Sequence, residues 1–428
     1  MKLHDIKQEP PKVLCLAVQQ PDQNECDVEN SLAELAELLK TLGAVMVGSI
    51  VQKRERPSRS EYFGSGKLEE ARLLAEKLEA EYIAVDDELS ALQIKNLEAR
   101  IGLRVKDRTS IILDIFAAHA STREGKLQVE LARHQYQLPR LLRMWTHLER
   151  QRGGIGLKGP GETQLETDRR ILNLRIKKLH EELEKVAKTR EQQGKQRNER
   201  FAPLFSLVGY TNAGKSTLLN ALSGSEVEMC DGLFTTLDPT ARRIELPNSH
   251  WCIMTDTVGF IRKLPHGLVK AFKATLECVV QAEVLVVVCD VSDPQFPDHL
   301  AAVDRVLAQI GAAGHEKIYV FNKIDKGLAF PEELLSEKYP DCVFVSAAKK
   351  IDLEKLKEKM EAIMCRNRRT VELTLPAGSL FIGEAMKIGR IFSQEWGAGT
   401  VKIVAELPKR FLTMVNEFIT SEEPVAGQ

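Results

Sequence analysis

Short apolar runs alternate with segments of helical spacing over the first 120 residues. The runs rich in β-branched residues are Val13–Val18, Val45–Val51 and Tyr82–Val85. Hydrophobic positions recur every three or four residues over Glu29–Leu42, Lys67–Leu78 and Ala91–Arg100. Strands that alternate with helices build parallel sheets, so residues 1–122 are predicted to form an N-terminal, mainly parallel α/β domain.

The next part of the chain has the spacing of two long helices. Apolar and aromatic positions step by four and three residues through Leu127, Leu131, His134, Leu138, Leu141, Trp145 and Leu148. A second heptad series contains Leu165, Leu172, Leu179 and Val186, with Ile176 and Leu183 between them. Matching seams predict an antiparallel helical hairpin, kinked at Pro139 and followed by a linker at Lys188–Arg200.

Residues 153–161 hold five glycines in nine positions and are predicted to form the exposed loop of that hairpin. Gly154, Gly156 and Gly159 fit GxGxxG, but no strand precedes them, so a dinucleotide site is rejected. Residues 133–200 carry 17 Lys/Arg against 9 Asp/Glu, a net charge of +8 within a chain of net charge -1. A phosphate-backbone contact and a solvated, Arg-rich hairpin with a flexible hinge both fit this pattern.

The composition narrows the class of protein. With 428 residues, 43% hydrophobic and 28% charged, the chain can bury the cores of two or three domains. The longest apolar stretch, Val284–Cys289, is too short to cross a bilayer, so no membrane partner and a cytoplasmic location are expected. Eight cysteines without a CxxC pair argue against a zinc site, a redox dithiol or a disulfide framework.

A phosphate-binding motif begins after the predicted strand Phe205–Val208. Its residues are Gly209, Tyr210, Thr211, Asn212, Ala213, Gly214, Lys215 and Ser216, followed by a helix-forming segment. This GxxxxGKS pattern lets backbone N–H groups surround phosphates at a helix N-terminus. Lys215 supplies charge to the β- and γ-phosphates, and the Ser216 hydroxyl can bind Mg²⁺.

Further motifs follow in the order that a guanine-nucleotide site requires. The predicted strand Trp251–Thr255 leads into Asp256, Thr257, Val258 and Gly259, where the Asp can hold Mg²⁺ through water and the Gly N–H can meet a γ-phosphate. The predicted strand Lys317–Phe321 leads into Asn322, Lys323, Ile324 and Asp325. Asp325 can accept hydrogen bonds from the N1 and N2 donors of guanine, which selects GTP.

Two less specific sequence motifs complete the predicted site. Phe234, Thr235, Thr236, Leu237 and Asp238 lie where a switch loop would place a hydroxyl on the metal, and Thr236 is chosen over Thr235. Ser346, Ala347 and Ala348 follow the predicted strand Cys342–Val345, where backbone groups can meet guanine. Lys215, Thr236 and Gly259 are therefore the predicted catalytic residues, and Ser216 and Thr236 the predicted metal ligands.

The wider pattern resembles the HflX family of ribosome-associated GTPases. The resemblance rests on GGIGLKGPGETQLETDRR, GYTNAGKSTL, FTTLDPT and DTVGFIRKLPH, and on YFGSGK at 62–67. It implies an α/β domain with a helical hairpin to residue 200, a P-loop GTPase domain over 201–367 and a small α/β C-terminal domain. It also implies a GTPase, monomeric when free, that binds the large ribosomal subunit and its RNA, with a role in ribosome splitting or rescue of stalled ribosomes.

The sequence leaves two alternatives to a ribosome-stimulated GTPase. Phe260 occupies the position where many small GTPases carry a glutamine that orients water, so hydrolysis is predicted to be slow without a partner. A GTP-gated ribosome- or RNA-binding module is the first alternative, and Arg262 or Lys263 is a candidate for completing the site. The second is an ATP-driven RNA remodeller that acts through the N-terminal domain; its weakness is that Glu61 and Leu68 break the pattern around Gly64–Lys67, which is therefore rejected as a Walker motif.

The last 60 residues carry no recognisable chemistry. Strands are predicted at Val371–Leu375 and Thr400–Ala405, and helices at Ser379–Lys387 and Pro408–Phe418. Four aromatic residues are predicted to lie in the core of this domain: Phe381, Phe392, Trp396 and Phe411.

Overall fold

The computed structural model describes residues 9–58, 60–144, 160–196, 203–224, 233–234, 240–263, 273–366 and 368–423. The chain folds into two compact units. Unit 1 comprises residues 1–186, 230–238 and 261–274, and unit 2 comprises 187–229, 239–260 and 275–428. In the described part of the chain, no helix is both long enough and apolar enough to cross a membrane. The domain limits at residues 122, 200 and 367 stay predictions.

Unit 1 contains a parallel four-stranded sheet of order β2-β1-β3-β4. Its strands are β1 (Lys12–Gln19), β2 (Val45–Lys53), β3 (Tyr82–Val85) and β4 (Arg104–Asp107). Its helices are α1 (Glu25–Thr41), α2 (Ser65–Lys77), α3 (Ala91–Ile101) and α4 (Arg108–His119). The expected parallel α/β architecture is confirmed, and the apolar runs of the sequence form its core.

Local capping fixes where these helices begin. Asn24 and Asp27 form a reciprocal capping box at the start of α1, and Ser90 and Gln93 do the same for α3. Gly64 caps α2, and its N–H donates to Gln52 Oε1 at 2.8 Å. The GSGK segment is therefore the entry turn of a helix.

Two long helices follow, α5 (Arg123–Met144) and α6 (Pro160–Gln196). They pack through a small apolar cluster made of Leu127, Leu131, Ile176, Leu179, Leu183 and Val186. The prediction of a linker from Lys188 is wrong as far as Gln196, because α6 continues there. The connection between the helices and its glycine loop lie outside the described residues, so the antiparallel hairpin stays a prediction.

A buried ion network joins three parts of unit 1. The Asp86 carboxylate accepts from Arg108 Nη1 at 2.7 Å, from Ser31 Oγ at 2.6 Å and from Lys263 Nζ at 2.6 Å. Arg108 also donates to Glu34 at 2.7 Å. Asp86 and Arg108 are each about 1% exposed, so the charges compensate one another in a medium where an unpaired charge would be costly.

Unit 2 begins with a six-stranded sheet of order β10-β9-β8-β5-β7-β6, parallel except for β6. The strands are β5 (Leu204–Gly209), β6 (Ala241–Glu245), β7 (Trp251–Thr255), β8 (Val284–Asp290), β9 (Glu316–Asn322) and β10 (Cys342–Phe344). The helices are α7 (Lys215–Ser223), α8 (Lys273–Gln281), α9 (Phe296–Gln309), α10 (Glu332–Lys338) and α11 (Leu353–Arg366). The parallel order brings the carboxyl ends of β5, β7, β8, β9 and β10 to one edge, where ligands bind in open α/β sheets.

The chain ends in a four-stranded antiparallel sheet of order β12-β13-β11-β14. Its elements are β11 (Arg368–Pro376), α12 (Leu380–Ile388), β12 (Arg390–Trp396), β13 (Thr400–Pro408), α13 (Lys409–Leu412) and β14 (Ile419–Glu423). The predicted helix Pro408–Phe418 is wrong beyond Leu412. Phe411 is buried and Phe381 packs against this core, but Phe392 is 52% and Trp396 64% exposed, contrary to prediction.

Candidate functional site

The turn between β5 and α7 approaches other backbone segments too closely for side chains at its glycines. A Cβ on Gly209 would lie 2.3 Å from the carbonyl oxygen of Val288, and one on Gly214 would lie 2.3 Å from Asn322 Nδ2. Gly214 also has a φ of +95°, which L-residues rarely adopt. The two glycines thus allow the turn to lie against β8 and the end of β9.

Lys215 is the first residue of α7 and is buried. Its Nζ donates to the carbonyl oxygens of Gly209 and Tyr210, at 3.2 and 2.8 Å. Burial lowers the pKa of Lys215 to about 8, although the Asp256 carboxylate opposes this shift. A buried ammonium held at the mouth of a backbone turn is suited to an anion, and phosphate oxygens would stabilise its charged form.

Ser216 and Asp256 bring two side-chain oxygen atoms together beside that turn. Ser216 Oγ donates to Asp256 Oδ2 at 2.6 Å. The other carboxylate oxygen of Asp256 accepts from Thr257 N, and Thr257 Oγ1 donates to the Leu207 carbonyl at 2.6 Å. The segment after β7 is therefore fixed to β5. A Cβ on Gly259 would lie 2.9 Å from Lys215 Nζ, so this glycine backbone borders the same space.

Phe260 belongs to the structural frame of the site. Its N–H donates to the Gly209 carbonyl at 3.1 Å, and its carbonyl accepts from Thr211 N at 2.7 Å. The side chain is only 2% exposed. The ring is thus core, and the residue offers no polar side-chain atom that could orient water.

The end of β9 and the loop after β10 meet the turn between β5 and α7, called the phosphate turn below, through Asn322. Its Nδ2 donates to the Ala213 carbonyl at 2.9 Å, and its Oδ1 accepts from Ala347 N at 3.0 Å. Lys323 Nζ donates to the Asn212 carbonyl at 2.7 Å and pairs with Asp290 at 2.7 Å. One buried amide thus holds three predicted motifs in a single arrangement.

Asp325 is held in place by Ser346, in the loop after β10. Ser346 Oγ donates to Asp325 Oδ1 at 2.6 Å, and this bond keeps the pKa of Asp325 below its ordinary value. Ser346 Oγ also accepts from Lys349 N, which closes the turn. The carboxylate remains partly exposed and ionised, as an acceptor for two N–H donors of a base must be.

Some predicted residues lie elsewhere. Thr235, Thr236, Leu237 and Asp238 are outside the described residues. Phe234 belongs to unit 1, where its ring meets that of Phe116 edge to face at 4.8 Å. Lys263, also in unit 1, pairs with Asp86 and Asp87 at 2.6 Å each. Ile324 N donates to the Val345 carbonyl, whereas Ala348 is exposed.

Two neighbours of the site were not predicted from the sequence. Asp290, the last residue of β8, fixes Lys323, and an acidic residue ending an apolar strand was a usable signal. His299 stacks on Tyr210 with ring centroids 3.9 Å apart and planes 13° apart. A single histidine on α9 gave no signal in the sequence.

Known proteins resemble this chain over most of its length. Three family descriptions match consecutive parts of the chain: "GTP-binding GTPase N-terminal" at 29–117, "GTP-binding GTPase Middle Region" at 119–197 and "50S ribosome-binding GTPase" at 205–323. GTPase HflX of Caldanaerobacter subterraneus subsp. tengcongensis is 42% identical, covering 92% of this chain and 91% of its own. The chain belongs to the HflX family of GTPases.

Other members of the HflX family also match over most of the chain. GTPase HflX of Chlamydia pneumoniae is 37% identical over 97% of this chain and 89% of its own. GTPase HflX of Escherichia coli (strain K12) is 46% identical over 75% of this chain and 76% of its own. With the P-loop of β5 and α7, membership of the HflX family makes this chain a GTP-binding protein and a GTP hydrolase.

Proposed function

We propose that this GTPase binds the large ribosomal subunit and couples GTP binding and hydrolysis to ribosome splitting or to rescue of stalled ribosomes. The match of residues 205–323 to a family described as a 50S ribosome-binding GTPase carries the proposal. Ribosomal RNA is the expected contact, because phosphate backbones attract exposed Lys and Arg.

Helix α6 supplies a surface for such a contact. Arg169, Arg170, Lys177 and Lys178 are exposed on it, and they belong to the segment of net charge +8. Ile171 and Leu174 of the same helix are 55% and 61% exposed. An exposed basic helix with apolar positions suits RNA, whose phosphates pair with the cations while its sugars and bases pack on the aliphatic groups.

In the proposed catalytic arrangement, Lys215 and the backbone N–H groups of the turn bind the phosphates. Ser216 Oγ and Asp256 are oxygen donors of the kind that Mg²⁺ prefers, directly or through water, and they already lie within hydrogen-bond distance of each other. Ser216 and Thr236 are the proposed metal ligands. Mg²⁺ would neutralise developing charge between the β- and γ-phosphates. Asp325, which Ser346 orients by a hydrogen bond, selects guanine.

The proposal is tested by sedimentation of purified 70S ribosomes with the protein and either GTP or a non-hydrolysable GTP analogue. We expect the protein to migrate with the large subunit and free subunits to accumulate. The Lys215→Ala variant should do neither, because it lacks the phosphate-binding ammonium. Protein absent from the large-subunit fractions in every nucleotide state would contradict the proposal.

The buried ring of Phe260 favours a second candidate, a GTP-gated binding module in which hydrolysis is too slow to matter. Both candidates require nucleotide-dependent binding to the ribosome. They differ in turnover, because only the enzyme hydrolyses GTP faster when the ribosome is present.

A further inference from the structure

A cluster of metal-ligand side chains lies in unit 2, where the C-terminal sheet meets the six-stranded domain. His250 precedes β7, Glu361 and Cys365 lie one turn apart on α11, and Glu406 lies on β13. One ligand atom each from His250, Cys365 and Glu406 lies within 4.8 Å of the other two. Imidazole, thiol and carboxylate together are the donor set of zinc sites in proteins. The cluster shares no residue with the P-loop site.

The imidazole of His250 is oriented by a carboxylate on its far side. Its Nδ1 lies 2.5 Å from Glu361 Oε1, and Asn248 Nδ2 fixes the other oxygen of Glu361 at 3.0 Å. A carboxylate on one ring nitrogen directs the other nitrogen toward a metal in many metal sites, and it fixes the tautomer that can bind. The cluster therefore has both ligands and an orienting carboxylate.

Two buried atoms facing the cluster lack hydrogen-bond partners among the described residues: His250 Nε2 and Glu406 Oε1. His250 Nε2 is 3.5 Å from Glu406 Oε2, longer than an ordinary N–H···O hydrogen bond. The side chains of His250 and Glu406 are only 5% and 6% exposed, so water does not readily satisfy them. Buried polar atoms without partners point to a ligand that they would share.

We propose that His250 Nε2, Cys365 Sγ and Glu406 bind a divalent transition metal, with zinc favoured by the mixed N, S and O donors. Glu361 is the positioning residue for His250. The metal would join the segment before β7, α11 and β13, and so fix the C-terminal sheet to the domain that holds the P-loop. The ligands are far apart in sequence, which is why cysteine spacing alone argued against a zinc site.

Metal binding is measured on the full-length protein after chelator treatment and removal of the chelator, with Zn²⁺ or Co²⁺ added alone. We expect one equivalent to bind, and Co²⁺ to give the near-ultraviolet charge-transfer band of a cobalt–thiolate bond. Cys365→Ser should abolish that band and weaken Zn²⁺ binding at least tenfold. Cys342→Ser, which removes a thiol outside the cluster, should change neither.

The design separates loss of metal from loss of fold. Cys365→Ser is nearly isosteric, and unchanged circular dichroism and GTP affinity would show that the variant is folded. His250→Gln should likewise weaken Zn²⁺ binding. Wild-type protein that takes up no stoichiometric Zn²⁺ or Co²⁺, or a cobalt–thiolate band that persists in Cys365→Ser, would overturn the proposal and leave an ion network that needs no metal.

Discussion

At the scale of single residues, the nucleotide site depends on a few side chains with more than one bond. Asn322 joins the phosphate turn to the loop after β10 through two hydrogen bonds. Ser346 orients the Asp325 carboxylate by a hydrogen bond. Because Asn322 is bonded to two other elements, its loss should disturb several motifs at once, whereas substitution of the partly exposed Asp325 should change base recognition alone.

Asp325→Asn should reduce the preference for GTP over ATP. The amide keeps one acceptor but turns an N–H donor toward the guanine donors, so we expect GTP binding to weaken by about 1–3 kcal/mol, or roughly 5- to 150-fold. XTP carries a carbonyl in place of the 2-amino group and should regain affinity. Competition binding of GTP, ATP and XTP checks this, and an unchanged GTP-to-ATP ratio would remove Asp325 from base recognition.

The lowered pKa of Lys215, about 8, predicts a pH dependence of phosphate binding. Below that pH the free protein already carries the ammonium that binds phosphate, so affinity for GDP should be nearly flat. Above it, binding must take up a proton, and Kd should rise up to tenfold per pH unit. Calorimetry in buffers of different ionisation enthalpy would detect the proton uptake. A flat Kd across this range would contradict the assignment.

The buried Asp86 predicts a large effect on the stability of unit 1. Asp86→Asn leaves Arg108 without its full partner, and breaking a buried pair costs about 3–5 kcal/mol. Amide hydrogen exchange in β1 and β3 measures the free energy of unfolding of this unit directly. Glu70→Gln, which breaks an exposed pair with Lys67, should change it by less than about 1 kcal/mol. If Asp86→Asn lowered the free energy of unfolding no more than Glu70→Gln does, the buried network would contribute no more than an exposed ion pair.

At the scale of elements, the sequence predicted buried strands better than edges. The apolar run Val284–Cys289 matches β8 almost fully, and the motifs after β5, β7 and β9 lie where strand order requires. The edge strand β12 was missed because its side chains are mostly polar or exposed, which leaves no alternating pattern. Bonds such as Asn322 to Ala213 depend on three-dimensional packing and have no sequence signal.

The ends of two helices were predicted wrongly, for opposite reasons. The last turns of α6 carry Gln, Lys and Glu without an apolar face, and the lost periodicity was interpreted as a linker although these residues favour helices. The segment after β13 has helical spacing, yet its helix ends at Leu412, because Phe411, Leu412 and Val415 already fill the core and the chain must return as β14. Tertiary packing decided the second case.

Helix α6 also carries the prediction for RNA contact. Replacing Arg169, Arg170 and Lys177 by Ala removes three charges, and the slope of log affinity against log salt should fall in magnitude by about 2, at 0.7–0.9 per phosphate contact. Binding to large subunits is measured by filter retention across a salt series. The control Lys338→Ala, Lys355→Ala and Lys357→Ala removes the same charge from unit 2. If both variants behave alike, α6 is not the contact.

At the scale of the whole molecule, two segments that lie in sequence between parts of unit 2 belong to unit 1. Residues 230–238, which include the predicted switch loop at 234–238, and residues 261–274 belong to unit 1. In that unit, Leu233 N donates to Thr41 Oγ1 at 3.1 Å, and Lys263 pairs with buried Asp86. Lys263 lies four residues after Gly259 in the sequence, so the residue that pairs with Asp86 is close along the chain to the predicted γ-phosphate contact.

The measurement that tests the central claim is hydrolysis of GTP and of ATP by the purified full-length protein, alone and with large ribosomal subunits. We expect slow hydrolysis in isolation, because buried Phe260 cannot orient water, and strong stimulation of GTP but not ATP turnover by the subunits. Lys215→Ala serves as the inactive control. Tight GTP binding with the same slow rate in both conditions would contradict a ribosome-coupled enzyme and favour the nucleotide-gated binding module.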